Sequence, residues 1–201
     1  PGAEFAYGIS LDWVGLVIQH TDGRTVDQFC REELLDPLGM RDTRWAPIPN
    51  PDPRRVVRQG EAGTFAVASD PPARHAGRPV GNAGLFSTVA DLGLFSRMML
   101  AHGACKGRQL LSRRVVDFLG SRPDRRSPVA FGWRVDAALN PAALSERTLS
   151  HTGWAGNAIW IDPAKQRYTI VLTNRVTDHD RAIRVRIDIA ELALQAVFPE
   201  A

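Results

Sequence analysis

The period of the hydrophobic pattern changes beyond the middle of this 201-residue chain. Up to Leu119, apolar residues recur at intervals of three or four positions, which is the spacing of one face of an α-helix. From Phe131 onward, apolar and polar residues alternate, as is typical of strands with one buried face. Helices followed by a run of strands favour an α+β fold. We expect an antiparallel sheet flanked by helices.

The first predicted helix begins near Leu11. Leu11, Val14 and Ile18 lie on one face of it, and the helical pattern stops near Gly23. Apolar residues at this spacing form the stripe that a helix normally turns toward a core. We therefore expect this first helix to be buried.

Capping signals predict further helices. Thr25 and Gln28 fit a capping box, in which each side chain bonds the backbone of the other residue. The helix that they begin is expected to end before Pro37, because proline interrupts helical hydrogen bonding. Serine and threonine caps begin two more predicted helices, over 88–103 and 112–119.

The stretch from Ala46 to Val80 is expected to be irregular. It contains seven of the fourteen prolines and little hydrophobic periodicity. A long irregular segment inside a compact domain is usually functional or mobile. An excursion of this kind can form the wall of a pocket.

Consecutive antiparallel strands are predicted in the last third of the chain. The alternating pattern runs through 131–135, around His151, and through 159–161 and 170–172. Asp162 and Pro163 open a turn between the last two strands. A final arginine-rich helix is predicted over 180–197, with an apolar side that can lie across the sheet. That side is formed by Ile183, Ile187, Leu194 and Val197.

Composition excludes several classes of protein. The formal charge of +3 comes from 25 basic and 22 acidic side chains that are scattered along the chain, so we expect no nucleic-acid partner. No apolar run approaches the roughly 18 residues that span a membrane. The start at Pro1 has no signal-peptide character, so either the protein is cytoplasmic or its beginning lies upstream. Cys30 and Cys105 are too few for a disulfide framework.

A metal site is not expected either, and residues 81–84 are not expected to form a phosphate-binding P-loop. The five histidines are dispersed along the sequence and form no cluster with the spacing of metal ligands. The glycine-rich segment 81–84 lacks the lysine and the spacing of a P-loop. We expect no cofactor.

Two constellations are candidates for chemistry. Tyr7 stands in a short turn just ahead of the first helix. The segment 151–157 is a polar and glycine-rich patch on a strand of the core sheet. By residue type alone, Tyr7 is more often a packed aromatic residue and His151 more often structural.

Four stretches occur in the order in which one known family carries its landmarks. They are the tyrosine segment 1–15, the segment 33–43 with Pro-Leu-Gly-Met-Arg-Asp-Thr, the glycine-rich segment 81–92, and the segment 151–163 that begins with His-Thr-Gly. Together they resemble the class C β-lactamase-like serine hydrolases, which include esterases and penicillin-binding proteins. The resemblance implies a β-lactamase/transpeptidase-like fold and covers nearly the whole chain.

The resemblance also implies roles for individual residues. Tyr7 would handle the proton of the nucleophile, His151 would polarise the acyl group of the substrate, and the backbone N–H of Trp154 would supply half of an oxyanion hole. The residues that would contact the substrate are Ile9, Thr152, Gly153 and Asn157.

The nucleophile that the resemblance implies is not in this sequence. The family carries a Ser-x-x-Lys motif ahead of its tyrosine segment. Lys106 and Lys165 are the only lysines, and the residues three positions before them are Gly103 and Asp162. We therefore expect the chain to be the C-terminal part of one domain, whose partner is an N-terminal segment of the same protein. Within that part, residues 1–125 are expected to be mainly helical, with one long loop, and residues 126–201 to hold the strands and the last helix.

The sequence departs from the family pattern in ways that bear on the substrate. Ile9 stands where β-lactamases and penicillin-binding proteins carry an amide or an acid that contacts an amide substrate. Asn82 and the segment 68–70 also differ from the common residues of related hydrolases. We expect a small-molecule ester as the substrate and an acyl-enzyme as the intermediate. The alternatives are β-lactam or D-amino-acid amide hydrolysis on the same fold, or a non-catalytic binding protein that kept the fold.

Overall fold

The computed structural model describes residues 3–58, 65–121, 127–135, 137–174 and 178–199. The chain divides into two compact units. One unit comprises Ala6–Asp91 and the other comprises Pro1–Phe5 with Leu92–Ala201. Helices and an antiparallel sheet are both present, which confirms the α+β prediction.

The unit Ala6–Asp91 is mostly helical. A short antiparallel pair is formed by β1 (Arg44–Trp45) and β2 (Leu85–Phe86). Its helices are α1 (Ser10–Asp22), α2 (Val26–Cys30), a π-helical segment (Arg31–Leu35), α3 (Asp36–Leu38), α4 (Pro71–Ala76) and the start of α5 (Val89–Leu100).

The helix boundaries follow the capping signals. Gly23 ends α1 in the left-handed conformation, with φ of 87°. The backbone N–H of Thr25 donates to Gln28 Oε1 at 3.0 Å, as the capping box predicts. The expected end of the second helix before Pro37 is wrong, because the helical path continues to Leu38. Pro37 lies in the first turn of α3, where the missing N–H of proline costs little.

Helix α1 is not buried, contrary to the expectation from its apolar period. Gly15 is its one buried residue. Trp13 is 64% exposed and Val17 is 59% exposed, and Leu11, Val14 and Leu16 are exposed as well. Among the residues that the structure describes, none covers this side of the helix. The sequence pattern therefore identifies a face suited to burial that the described part of the chain leaves uncovered.

The start of α1 is held by the glycine-rich segment that precedes β2. A Cβ atom at Gly81 would stand 2.0 Å from the carbonyl oxygen of Leu11, so only glycine fits there. The backbone N–H of Asn82 donates to Asp12 Oδ1 at 2.7 Å. These two contacts fix the first turn of α1 and the chain that leads into it.

A buried carboxylate joins α5 to the segment before β1. Asp91 Oδ2 accepts hydrogen bonds from the backbone N–H of Asp42 at 2.9 Å and from Thr43 Oγ1 at 2.8 Å. Thr43 is fully buried and Asp91 nearly so. The Asp91 N–H donates to Thr88 Oγ1, which confirms the predicted cap of α5.

The second unit contains the main sheet. A small hairpin joins β3 (Ala104–Cys105) and β4 (Arg108–Gln109), and five antiparallel strands are arranged in the order β5-β6-β7-β8-β9. These strands are β5 (Val129–Ala130), β6 (Trp133–Arg134), β7 (Leu149–Thr152), β8 (Ala158–Asp162) and β9 (Arg167–Val171), and the helices are α6 (Arg113–Leu119) and α7 (His179–Val197).

One face of the sheet packs against α7. The buried cluster comprises Leu144, Ala158, Trp160, Val171, Ala190 and Leu194. The prediction that the last helix lies across the sheet is therefore confirmed. Val197 was expected on its apolar side, but this residue is 67% exposed because it stands at the last position of the helix.

The sequence pattern missed one turn of the sheet and predicted another. Phe131 was expected in a strand, but it has φ of 50° and forms the β5–β6 turn with Gly132. The turn after β8 was predicted correctly at Asp162 and Pro163. Burial tends to raise the pKa of the Asp162 carboxyl, but hydrogen bonds from Ser145, Lys165 and Ala164 outweigh burial and lower it.

Two further findings concern sequence expectations. Cys30 and Cys105 are both free thiols. Within the part of the chain that the structure describes, no helix combines the length and the apolar character that crossing a membrane requires.

The contact at Gly81 leads to a stability prediction. We expect Gly81→Ala to lower the free energy of unfolding by about 1–3 kcal/mol, because the added methyl group meets a backbone carbonyl that cannot easily move. Gly8→Ala is the matched control, since a Cβ at Gly8 has no neighbour within 4 Å. Urea unfolding measures both variants. Equal stabilities would show that the contact with Leu11 relaxes at no cost.

Candidate functional site

The register of the sheet sets the direction of the His151 side chain. His151 pairs with Ile159, which pairs with Ile170. Cross-strand partners point to the same side of a sheet, and neighbours along a strand point to opposite sides. Ser150 and its partner Trp160 face α7. His151 therefore lies on the opposite face of the sheet.

The face that carries His151 is covered at one end and more open at the other. Leu149 and Ile161 on this face are buried, and the hydroxyl of Tyr168 accepts a hydrogen bond from Arg97 Nη1 on α5 at 2.9 Å. His151, by contrast, is only half-buried. Its ring therefore lies at the boundary between the covered part and the accessible part of this face.

Electrostatics favour a neutral His151 ring. Burial lowers the pKa of His151 below its ordinary value of 6.5, and the charge of Arg134 acts in the same direction. A hydrogen bond with the backbone of Thr152 acts in the opposite direction but does not outweigh burial. A neutral imidazole has one donor and one acceptor nitrogen, so it can orient a carbonyl group or pass a proton.

The turn after β7 is a closed structure. The backbone N–H of Gly153 donates to the carbonyl of Asn157 at 2.8 Å, and the N–H of Gly156 donates to the carbonyl of Gly153 at 3.0 Å. Thr173 ties this turn to the end of β9. Its backbone N–H donates to Asn157 Oδ1 at 2.8 Å, and its hydroxyl donates to the carbonyl of Ala155 at 2.7 Å.

Gly153 is a glycine that the fold itself does not require. Its backbone is not in the left-handed region, and a Cβ at this position would stand 3.4 Å from Asn157 Cβ, the nearest atom. That distance is close to an ordinary van der Waals contact, and Gly153 is exposed. The described structure leaves room for a side chain at position 153. If glycine is needed there, the reason would be another molecule that approaches the backbone at this strand end.

The side chains beside Gly153 differ in exposure. Trp154 is 63% exposed and lies in the turn, whereas Thr152 is half-buried at the end of β7. The sequence predicted a polar patch on a strand of the core sheet. In the structure, that strand is followed directly by the exposed residues Gly153 and Trp154. Whether the Trp154 N–H forms part of an oxyanion hole stays a prediction.

Tyr7 and Ile9 lie in the other unit, in the segment that leads into α1. Tyr7 is 73% exposed, and its hydroxyl makes no hydrogen bond to any residue that the structure describes. Ile9 occupies the position just before the first residue of α1, makes no side-chain capping hydrogen bond, and is exposed. The contact of Asp12 with Asn82 holds this segment in place.

The structure thus groups the predicted site residues into two sets. His151, Thr152, Gly153, Trp154 and Asn157 share one hairpin, and Tyr7 and Ile9 share the segment before α1. The family order of the motifs also predicts that the strand with His151 faces the turn that carries Tyr7, and this stays a prediction. Across the described ranges, no cluster of three or more histidine, cysteine, aspartate or glutamate side chains could hold a metal ion.

Sequence reasoning missed two residues that shape this hairpin. Thr173 anchors the turn, and Arg134 contributes charge near His151. Each is 16 or more residues distant from its partner along the chain. Only the strand pairing brings them together, so no local pattern in the sequence points to them.

The position of His151 predicts its titration. We expect NMR of the imidazole ring to give a pKa below 6.5. Because the unfolded ring binds a proton first as the pH falls, stability should be retained above about 6.5 and lost between 6.5 and the folded-state pKa. His151→Gln should weaken this pH dependence. A ring that titrates at or above the value of a histidine in an unstructured peptide would contradict burial as the dominant effect.

Comparison with known proteins identifies relatives along most of the chain. A putative D-alanyl-D-alanine carboxypeptidase of Escherichia coli O157:H7 is 25% identical over an alignment of 199 residues, which covers 87% of this chain and 46% of the relative. This chain therefore spans less than half the length of that relative.

Solved structures share the fold. Simvastatin synthase (LovD) from Aspergillus terreus has a TM-score of 0.71 at 19% identity, and the match covers 100% of this chain and 57% of that one. A penicillin-binding protein homologue from Caulobacter crescentus has a TM-score of 0.71 at 20% identity, with 96% and 59% covered. The family model described as Beta-lactamase matches residues 1–194. The resemblance found in the sequence is confirmed, and this chain belongs to the Beta-lactamase family.

Proposed function

We propose that this chain is the C-terminal part of a serine hydrolase that cleaves carboxylic esters through an acyl-enzyme. The observation that carries the proposal is the end of β7. Gly153 is exposed, is not required by the fold, and stands in a turn that Asn157 and Thr173 hold rigidly. An acyl substrate lying along this strand end would meet backbone rather than a side chain. Family membership supports the same site.

In the proposed reaction, Tyr7 transfers the proton between the serine and the departing alcohol. A serine oxygen attacks the carbonyl carbon, and its proton passes to the Tyr7 oxygen while the Tyr7 hydroxyl gives its own proton to the neutral amine of the upstream lysine. Tyr7 then protonates the departing alcohol, and water releases the acid in a second step. Tyr7 is suited to this role because its hydroxyl has no hydrogen-bond partner among the described residues and is exposed.

The hairpin would bind the acyl group. The neutral ring of His151 orients the carbonyl, and the backbone of Thr152, whose side chain lies on the opposite face of the sheet, lines the site beside it. The Trp154 N–H would stabilise the negative charge that develops on the carbonyl oxygen, which is a large contribution in acyl transfer. Asn157 supports the turn through its side-chain oxygen and would present its amide nitrogen to the substrate.

The serine and its lysine would come from a segment that precedes Pro1. This sequence holds no serine followed three residues later by lysine. The chain spans 46% of the carboxypeptidase relative and 57–59% of the two structural neighbours. We propose that the preceding segment packs on the exposed apolar face of α1, which includes Trp13, Val14 and Val17. A contiguous apolar surface of this kind is typical of a protein interface.

Hydrolysis of a D-amino-acid amide is the second candidate. The printed name of the relative in Escherichia coli, a putative D-alanyl-D-alanine carboxypeptidase, favours it. Ile9 favours the ester, because an apolar side chain at that position offers no hydrogen bond to an amide substrate. A binding protein that kept the fold would lack the upstream serine altogether.

The role of Tyr7 leads to an activity prediction for the protein in its full natural length. Tyr7→Phe should lower turnover of p-nitrophenyl butyrate by a factor of about 10²–10⁴, because proton transfer loses its hydroxyl. Ester turnover should exceed turnover of nitrocefin and of a D-alanyl-D-alanine peptide. The measurement is steady-state kinetics on the three substrates.

Tyr168→Phe is the matched control, because it removes the other tyrosine hydroxyl, which accepts a hydrogen bond from Arg97. It should lower stability slightly and leave turnover unchanged. If Tyr7→Phe keeps full turnover, Tyr7 is structural. If nitrocefin or the peptide is the better substrate, the ester assignment is wrong.

The uncovered face of α1 leads to a prediction about stability. In the full-length protein, Val17→Lys should cost about 2 kcal/mol or more, because a charge would be placed in a covered interface. In residues 1–201 alone, where Val17 is exposed, the same change should stay within about 0.5 kcal/mol. Gln19→Lys is the control on the opposite side of α1 and should be neutral in both proteins.

Denaturant unfolding of the two proteins and their variants measures these differences. The unmodified short chain should also bind a hydrophobic dye more strongly than the long one. If Val17→Lys is equally harmless in both, the preceding segment does not cover α1. A short chain that dimerises and loses its dye binding would instead identify a second copy as the occupant.

A further inference from the structure

The irregular segment after β1 walls a pocket that the proposed hydrolase site does not use. The cavity has a volume of about 600 Å³ and lies wholly within the unit Ala6–Asp91. Neither Tyr7 nor Ile9 lines it. Three arginines, one tryptophan and several prolines form its walls, namely Arg31, Arg44, Arg78, Trp45, Pro47, Pro49 and Pro79, together with Asp27, Ala46 and Gly77.

The pocket has an excess of positive charge. Three arginines and one aspartate line it, and the carboxylate of that aspartate, Asp27, already accepts a hydrogen bond from Thr25 Oγ1 at 2.6 Å. Within the described ranges, Arg31 and Arg78 form no ion pair, and Arg44 donates only to the carbonyl of Arg41. Arginines without a carboxylate partner around one cavity favour an external anion.

The walls of the pocket are held by hydrogen bonds that do not involve its charged groups. The indole N–H of Trp45 donates to the carbonyl of Val80 at 3.0 Å, and the N–H of Ala46 donates to the carbonyl of Gly84 at 2.8 Å. Trp45 is half-buried, so one part of its ring packs while another lines the cavity. The arginines are thus carried on a preformed frame.

The position of Arg31 adds an independent observation. Arg31 is the first residue of the π-helical segment Arg31–Leu35, and its carbonyl accepts from the N–H of Asp36, five residues later. Short π-helical turns inside helices are uncommon and are frequent at functional sites. The wider turn begins at the residue that contributes a guanidinium group to the pocket.

We propose that this pocket binds a phosphomonoester with a planar or apolar substituent. Three arginines offer more donors than one carboxylate can accept, whereas a phosphomonoester carries close to two negative charges and three terminal oxygens. The Trp45 ring and the prolines would contact the substituent. The volume lies in the range of small-molecule sites. Binding here does not depend on the serine, so the proposal stands apart from ester hydrolysis.

Calorimetry on the full-length protein with phenyl phosphate tests the proposal. Inorganic phosphate, phenol and benzoate are the comparison probes. We expect saturable binding of phenyl phosphate, at least tenfold weaker binding of phosphate or benzoate, and none of phenol. Raising the salt concentration should weaken binding, since the arginines are partly exposed.

Variants assign the binding to this pocket. Arg78→Gln changes an exposed side chain and should weaken phenyl phosphate about tenfold without altering the fold. Arg31→Gln should act similarly, and Arg74→Gln is the matched control, because Arg74 is exposed on α4 but does not line the pocket. No saturable binding at millimolar phenyl phosphate, or an equal loss with Arg74→Gln, would overturn the proposal. Equal affinity for benzoate would overturn the preference for phosphate. Ester turnover of Arg78→Gln should match that of the unmodified protein.

Discussion

Burial of Trp160 against α7 determines which way the strand with His151 faces. Trp160 is fully buried among Ala190, Leu194 and Val171, and its indole N–H donates to the carbonyl of Leu139. Since Trp160 pairs with Ser150, the neighbouring His151 must point to the other side of the sheet. A shift of one residue in this register would turn His151 into the core. The packing of one large side chain thereby sets the orientation of the candidate site.

Local signals in the sequence predicted the elements well. Helix boundaries followed Thr25, Thr88 and Ser112, because capping depends on residues only a few positions apart. The strands around His151 and Trp160 followed from simple alternation. The candidate site was reached through the family resemblance, since residue types alone favoured structural roles for both Tyr7 and His151.

Features set by distant contacts were not predictable in the same way. The apolar period of α1 indicates a buried face whether or not a partner is present, so Val14 was wrongly expected to be covered. Thr173 reaches the turn at Asn157 only through strand pairing. The arginine pocket forms where the two ends of the irregular segment meet residues that precede it, such as Arg31 and Arg44. The sequence indicated only that such a segment can form a wall.

Residues that hold the fold together differ in their contacts from residues with proposed chemical roles. Gly81, Asp91 and Asp162 make contacts that lie inside the fold, and each one satisfies or closely approaches the backbone of a neighbouring segment. Two residues with proposed chemical roles are different. The Tyr7 side chain is exposed, and the space beside Gly153 could hold a Cβ atom. Hydrogen bonds hold the segments that carry both residues, through Asp12 and Asn82 near Tyr7 and through Asn157 and Thr173 near Gly153, so each residue is positioned as the proposed reaction requires.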